Sequence, residues 1–472
     1  MATQPPTTPD GERQVFFNAF DMNCVGHQSP GLWRHPEDRS REYRSLDYWV
    51  GLARTLEEGL FESLFIADVL GPYDVYEGSP RAALRSGAQV PVNDPILLVP
   101  AMAAATKNLG FGVTAGTAYE HPYPFSRRLA TLDHLSDGRV GWNVVTGHLP
   151  SAARNLGEAD QREHDERYDH ADEYLDVIYQ LLGGSWEDDA VADDPTTGVF
   201  TYPDKVHDIG HRGRFFTVPG AAIVEPSPQR VPLIFQAGAS PRGQRFAGRH
   251  AEASFINSPT DALAKKATAN LRAAAVAAGR EPYDIRVFTL ITVVTGKTDA
   301  EAKEKLEELA SYVDIEGALA LLSGWLGVDL ARFDPDEPLG DVESNAIRST
   351  VANFQALAGD DKEWTVRRIA KWAGIGGVGR VLVGSGETVA RELARIQDET
   401  DVDGFNLAYH ITPGTFEDLV EHVVPALQDL GRYKTEYRPG TLRNKLFGEG
   451  DRLSPRHYGA RFAPSARPAA AG

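Results

Sequence analysis

The chain has 472 residues, 42% of them apolar and 24% charged, the balance of a soluble globular protein. Its 48 basic and 67 acidic residues leave a formal charge of −19, which argues against nucleic acid or an anionic membrane as a main partner. The single cysteine, Cys24, excludes an intramolecular disulfide framework, and neither a secretory h-region nor a run of about 18 apolar residues is found, so a cytoplasmic protein is expected.

Strand-like runs of β-branched and aromatic residues recur at 15–22, 63–69, 110–118, 139–146, 232–238, 253–258, 285–294 and 404–411. Helical periodicity falls between them at 46–59, 95–107, 126–135, 164–182, 242–250, 261–278, 299–313 and 387–399, with a last helix at 415–430. Such alternation implies parallel strands joined by right-handed crossovers, and eight units predict an α/β fold, a TIM-like (β/α)8 barrel. The predicted organisation is a flexible start at 1–14, one barrel over 15–431, and a C-terminal arm at 432–472 packed on another subunit. Three insertions, 71–93, 184–230 and 315–378, exceed an ordinary loop and are expected to form the walls and lid of one site.

The densest chemistry lies between residues 139 and 182. Asn143, Thr146, Gly147 and His148 crowd the end of a strand-like run. The next helix steps through Tyr168, Ala171, Leu175, Ile178 and Leu182, so His164 at its start should extend the inward stripe. Polar groups at a strand end and a helix start are what a barrel offers to a ligand, although a His and Tyr one turn apart also make an ordinary core pair. They do not form a His-x-x-x-His pair and no cysteine is near, so no metal is expected. Gly238, Ala239 and Ser240 lead into another helix, whose free N–H groups favour a phosphate, with Arg242 nearby.

Several stretches, NAFDMNCVGH from Asn18, FIADV from Phe65, VPVNDP from Val90, TLDHLSDGRVGWNVVTG from Thr131, EHDERYDHADEYL from Glu163, SWEDDA from Ser185, QAGASPRG from Gln236 and DGFNLAY from Asp403, carry a family likeness. In this order they resemble the bacterial-luciferase-like flavin monooxygenases, in the subgroup of nitrilotriacetate and dibenzothiophene sulfone monooxygenases. Within it the chain is most similar to the long-chain alkane and dimethyl sulfide types. The resemblance implies a barrel that binds reduced FMN supplied by a separate NAD(P)H-dependent reductase, and reacts with O2 through a flavin C4a-(hydro)peroxide. One oxygen atom would then enter a small or chain-like apolar substrate, an alkane or organosulfur compound. It implies FMN contacts at Asp68, Thr114, Asn143, Gly147, His164, Tyr168, Ala237, Gly238 and Ser240. His148, Cys24 and His27 are the implied polar minority around the reacting oxygen, with His148 handling a proton. Tyr73 and Gln89 match lid positions on the substrate side, and the subgroup's habit implies a homo-dimer or tetramer. One departure concerns the substrate: the alkane type carries histidines where this chain has Ala318 and Leu321. Deazaflavin F420 as cofactor, or a barrel that only binds flavin, are the alternatives.

Overall fold

The computed structural model describes residue 7 and residues 11–118, 120–147, 149–159, 161–336 and 364–464. Eight strands close into a barrel: β1 (Phe16–Met22), β2 (Ser63–Ala67), β3 (Gly110–Gly116), β4 (Val140–Val145), β5 (Leu233–Gln236), β6 (Ala253–Ile256), β7 (Arg286–Gly296) and β8 (Gly404–Ala408). Each pairs in parallel with the next, and β8 returns to β1 with Asn406 opposite Asn18. All eight coincide with the runs expected from sequence, and the barrel is the fold expected.

Side chains alternate across each strand, so the register fixes what points inward. Phe20 lies opposite Phe65, Phe65 opposite Gly112, and Gly112 opposite Gly141. The two glycines make room for rings from neighbouring strands. A Cβ on Gly112 would meet the Phe65 ring at 2.7 Å, and one on Gly141 the Phe235 ring at 2.4 Å. The rings of Phe65, Phe235 and Phe255 pack within 5.5 Å of one another, centroid to centroid, and fill the lower lumen. The larger apolar core lies outside the strands, between them and the helices.

Three expectations change. The segment after residue 432 does not leave the barrel through residue 464: the short helix Leu442–Phe447 closes the lumen from below. There Leu442 and Leu446 join Phe16, Phe65 and Phe288 in one cluster. Arg443 bridges to the buried Glu252 with two bonds of 2.6 and 2.8 Å, so this part of the expected arm packs on its own barrel. The 184–230 insertion makes two small hairpins and packs outside, where Glu173 accepts the N–H groups of Phe215 and Phe216. None of its residues lines the cavity described below. The third insertion is partly ordered: helices Ile315–Leu326 and Val366–Gly376 pack together, and a strand Arg380–Ser385 that the sequence reading missed pairs with the outer half of β7. Residues 337–363 of it lie outside the described part.

Candidate active site

A cavity of about 530 Å³ opens at the C-terminal ends of the strands. Its floor is aromatic and aliphatic, from Phe20 on β1, Phe65 on β2, Phe255 on β6 and Leu290 on β7. All four are inward positions of the barrel strands, and the alternation rule could have found them. Its sides carry amides and a hydroxyl: Thr114, Asn143 and Asn406. Asn143 donates to Thr114 Oγ1 at 2.9 Å, which leaves the buried Asn143 Oδ1 without a hydrogen-bond partner, as is Asn406 Oδ1. Buried polar atoms seldom remain unpaired, so these two acceptors mark a place for donors from a ligand.

Asp68, just past β2, is the one acid among the described residues of the wall. Burial raises its carboxyl to about 7, Asp94 nearby adds to the rise, and the Val69 N–H opposes it. No lysine or arginine among the described residues lines the cavity. An anionic group would therefore meet no countercharge there.

His27 also faces the cavity, edge-on to Phe20 with ring centroids 4.4 Å apart. Burial lowers it to about 3, so it is neutral imidazole, and its Nδ1 has no hydrogen-bond partner. Its carbonyl accepts from Gln89 Nε2 at 2.8 Å, and the Gln89 N–H bonds back to Gly26 at 2.7 Å. That ladder ties the loop after β1 to the first insertion. Gly26 is needed within it, since a Cβ would lie 2.8 Å from the Gly87 carbonyl.

Cys24 belongs to the same ladder, opposite Val92, but is buried outside the set of lining residues. Burial and the neighbouring Asp21 push its thiol far above the ordinary range, so it carries no thiolate. Its expected place in the polar minority of the pocket is corrected accordingly. Tyr73 and Gln89 do line the cavity, from the first insertion. The third insertion adds Trp325, Leu326 and Val378, which were not among the expected site residues. Ala318 and Leu321 stand one layer back: Leu321 packs behind Tyr73, and Ala318 against the helix Val366–Gly376. His148 lies outside the described residues.

Beside the cavity, following its lining residue Ala237, is a cradle of small residues. Ser240 caps the ten-residue helix Pro241–His250 and accepts the Gly243 N–H at 3.0 Å. The Tyr168 hydroxyl lies over this helix start: a Cβ would come within 3.1 Å of it on Gly238 and 2.7 Å on Gly243. Burial raises the phenol, so it stays a donor. His164 Nε2 comes within 3.3 Å of Ser240 Oγ, while its Nδ1 faces Asp165 at 2.7 Å. His164 is exposed, as are its neighbours Arg162, Glu163 and Asp165, rather than on the inward stripe. It meets Tyr168 at the cradle by reaching along the surface. Arg242 is not available to an anion as expected, since Asp169 and Asp172 hold its guanidinium at 2.9 and 2.6 Å. Gly147 has φ 76° and its carbonyl accepts from Arg167.

A glycine cradle, a helix start and hydroxyl donors suit a phosphate. The adjoining apolar cavity with unpaired amide oxygens suits a flat ring that carries N–H groups. The luciferase-like monooxygenase model matches residues 24–402. The chain belongs to the luciferase-like monooxygenase family. Among curated relatives, dimethyl-sulfide monooxygenase of Hyphomicrobium sulfonivorans is 51% identical, over 96% of this chain and 94% of that one. Long-chain alkane monooxygenase of Geobacillus thermodenitrificans is 46% identical, over 95% and 98%. A crystal structure of riboflavin lyase with modified FMN and riboflavin superposes with a TM-score of 0.86, at 35% identity, over 96% and 100%. Luciferase-like monooxygenases are flavin-dependent enzymes, and the protein is an enzyme of this class.

Proposed function

We propose that the protein is the oxygenating component of a two-component system. It takes reduced FMN from a separate NAD(P)H-dependent reductase and transfers one atom of O2 to a small neutral apolar substrate, a thioether or an alkane. Substrate, O2 and reduced FMN then become oxygenated substrate, oxidised FMN and water. The observation that carries this reading is the pairing of a largely apolar cavity, with no lysine or arginine among its described lining residues, with a phosphate cradle directly beside it.

Ser240, Tyr168, His164 and the backbone at Gly238 hold the phosphate. Thr114 and Asn143 meet the ring, with Asn143 Oδ1 accepting from one of its N–H groups. When bound, reduced FMN supplies two electrons and activates oxygen. The walls formed by Phe20, Phe65, Phe255 and Leu290 keep water from that centre, which protects activated oxygen from wasteful breakdown. His27, neutral and with a free ring nitrogen, offers one hydrogen bond without adding charge. Asp68 changes charge near neutrality and sets the field beside the ring. His148, which follows β4 in the sequence, is the group assigned to carry a proton during transfer. The working protein is a cytoplasmic homo-oligomer in this reading.

Anaerobic titration with reduced FMN followed by rapid mixing with O2 tests the proposal. Tight binding and a delayed return of the oxidised flavin spectrum are expected, shortened by substrate. Replacing His148 by Ala should keep flavin binding and lower product formed per flavin oxidised by about a hundredfold, the lower end of an acid–base contribution. Absence of reduced FMN binding would discard the reading.

A further inference from the structure

The roof of the cavity contains one large residue whose position is unusually well specified. The sequence Ser323-Gly324-Trp325-Leu326-Gly327 ends the helix Ile315–Leu326, with Gly327 at φ 66° as its left-handed cap. Gly324 lets the helix backbone press on Tyr73: a Cβ there would lie 2.1 Å from Tyr73 Cδ1. The Trp325 indole N–H then donates to the Tyr73 hydroxyl at 3.0 Å, with the two rings perpendicular. On its far side the indole lies near Gly377, where an added Cβ would run into Gln28 Oε1 at 1.9 Å and only touch Trp325 Cη2 at 3.6 Å. The close approach at Gly324 and one hydrogen bond therefore fix an indole over the cavity.

We propose that Trp325, positioned by Tyr73, sets the upper length of the substrate, and that the enzyme takes short neutral thioethers rather than long alkyl chains. This rests on the flavin-monooxygenase reading above. Two observations support it. The cavity of about 530 Å³ must hold the three-ring flavin system as well as substrate. What the ring leaves of that space is bounded on the roof side by Trp325, so a growing alkyl chain meets the indole. Second, the described lining residues include no lysine or arginine, so chain length and not attraction to a cation is the property this roof can sort.

The test uses methyl n-alkyl sulfides from methyl to octyl, which keep the reacting sulfur constant and vary only length. Each is titrated into the protein loaded with reduced FMN under anaerobic conditions, and its affinity is read from the flavin spectrum. Each methylene that finds apolar space should tighten binding about fourfold. In the natural protein this gain is expected to stop by about four carbons and then reverse, and in Trp325→Ala to continue for several more. Trp325→Phe keeps one aromatic ring but loses the second ring and the N–H, and should shift the cutoff by one or two carbons; Tyr73→Phe removes the hydrogen bond alone and should shift it by less. A gain that runs unbroken to octyl in the natural protein overturns the inference. So does a cutoff that is unmoved in Trp325→Ala while reduced FMN still binds, or a failure of every sulfide to perturb the flavin. Failure of the underlying reading is distinguishable, because it appears with no sulfide present, as loss of reduced FMN binding in the unmodified protein.

Discussion

Floor and roof of the cavity are built on different rules. The floor is a closed ring of strands in which each inward position is set by its neighbours' register, and rings from three strands interlock over glycines on two others. The helix Leu442–Phe447 seals it from below. The roof comes from insertions after β2 and β7, joined by a few specific contacts: Trp325 with Tyr73, the Glu77 N–H with Asp329, and Arg85 with Glu316. A change in the floor is felt by every strand, whereas the roof can change one side chain and leave the barrel intact. Stability is therefore expected to reside below the cavity, and the proposed selectivity above it.

The sharpest way to break this contrast is to loosen the plug. Arg443→Ala leaves Glu252 buried without its bidentate partner and should cost about 3–5 kcal/mol in a urea unfolding titration. Loss of under 1 kcal/mol would mean that the plug does not hold the floor. Next in size is Gly141→Ala, whose Cβ would sit 2.4 Å from the Phe235 ring; overpacking of this kind costs roughly 1–3 kcal/mol. Gly51→Ala is its control. Gly51 lies in the helix Leu46–Glu58 with nothing within 4 Å of the added carbon, so about 0.5–1 kcal/mol of stabilisation is expected. If Gly141 and Gly51 respond alike, the aromatic floor is not close-packed.

This division also governs what could be read in the chain beforehand. The eight barrel strands were legible because each is a β-branched or aromatic run bounded by turn residues, as with Asp137 and Gly138 before β4, both at positive φ. The strand Arg380–Ser385 was not, because its short run follows the Gly376-Gly377-Val378-Gly379 cluster and reads as loop. The helix Leu442–Phe447 carries only two buried leucines, and nothing local says that they enter the barrel instead of another subunit. In the site, Asp68, Tyr73, Gln89, Thr114, Asn143 and Ala237 were reached through family likeness, and all of them line the cavity. Phe65, Phe255, Leu290 and Asn406 were within reach of strand alternation alone. His164 misled because a stripe extrapolated to a helix's first residue ignores that the chain there is exposed. Trp325 was visible only as an aromatic between glycines, a pattern whose meaning depends on Tyr73, far away in sequence.

The smallest expected effect tests whether charge, as well as packing, separates the two regions. Asp68 sits between floor and roof, with its carboxyl raised by burial from 3.8 to about 7. In the folded protein it stays neutral while the unfolded chain has already ionised. The sign follows: its contribution to stability is fully present below about pH 4 and is lost as pH rises to about 7, beyond which the loss is constant. The buried Asp21, also raised to about 7, acts in the same direction, so Asp68→Asn should flatten only part of the slope between pH 4 and 7. Binding of reduced flavin carries the more specific signature. Above about pH 7 the Asp68 carboxylate, reinforced by Asp94, opposes an anionic ring, and affinity should fall between pH 6.5 and 8 by roughly the few-fold that one partly screened charge produces. In Asp68→Asn the fall should vanish while affinity at pH 6 is unchanged. If the fall persists in Asp68→Asn and disappears in Asp21→Asn, the field at the ring originates behind the wall of β1, and Asp68 serves only to shape the cavity.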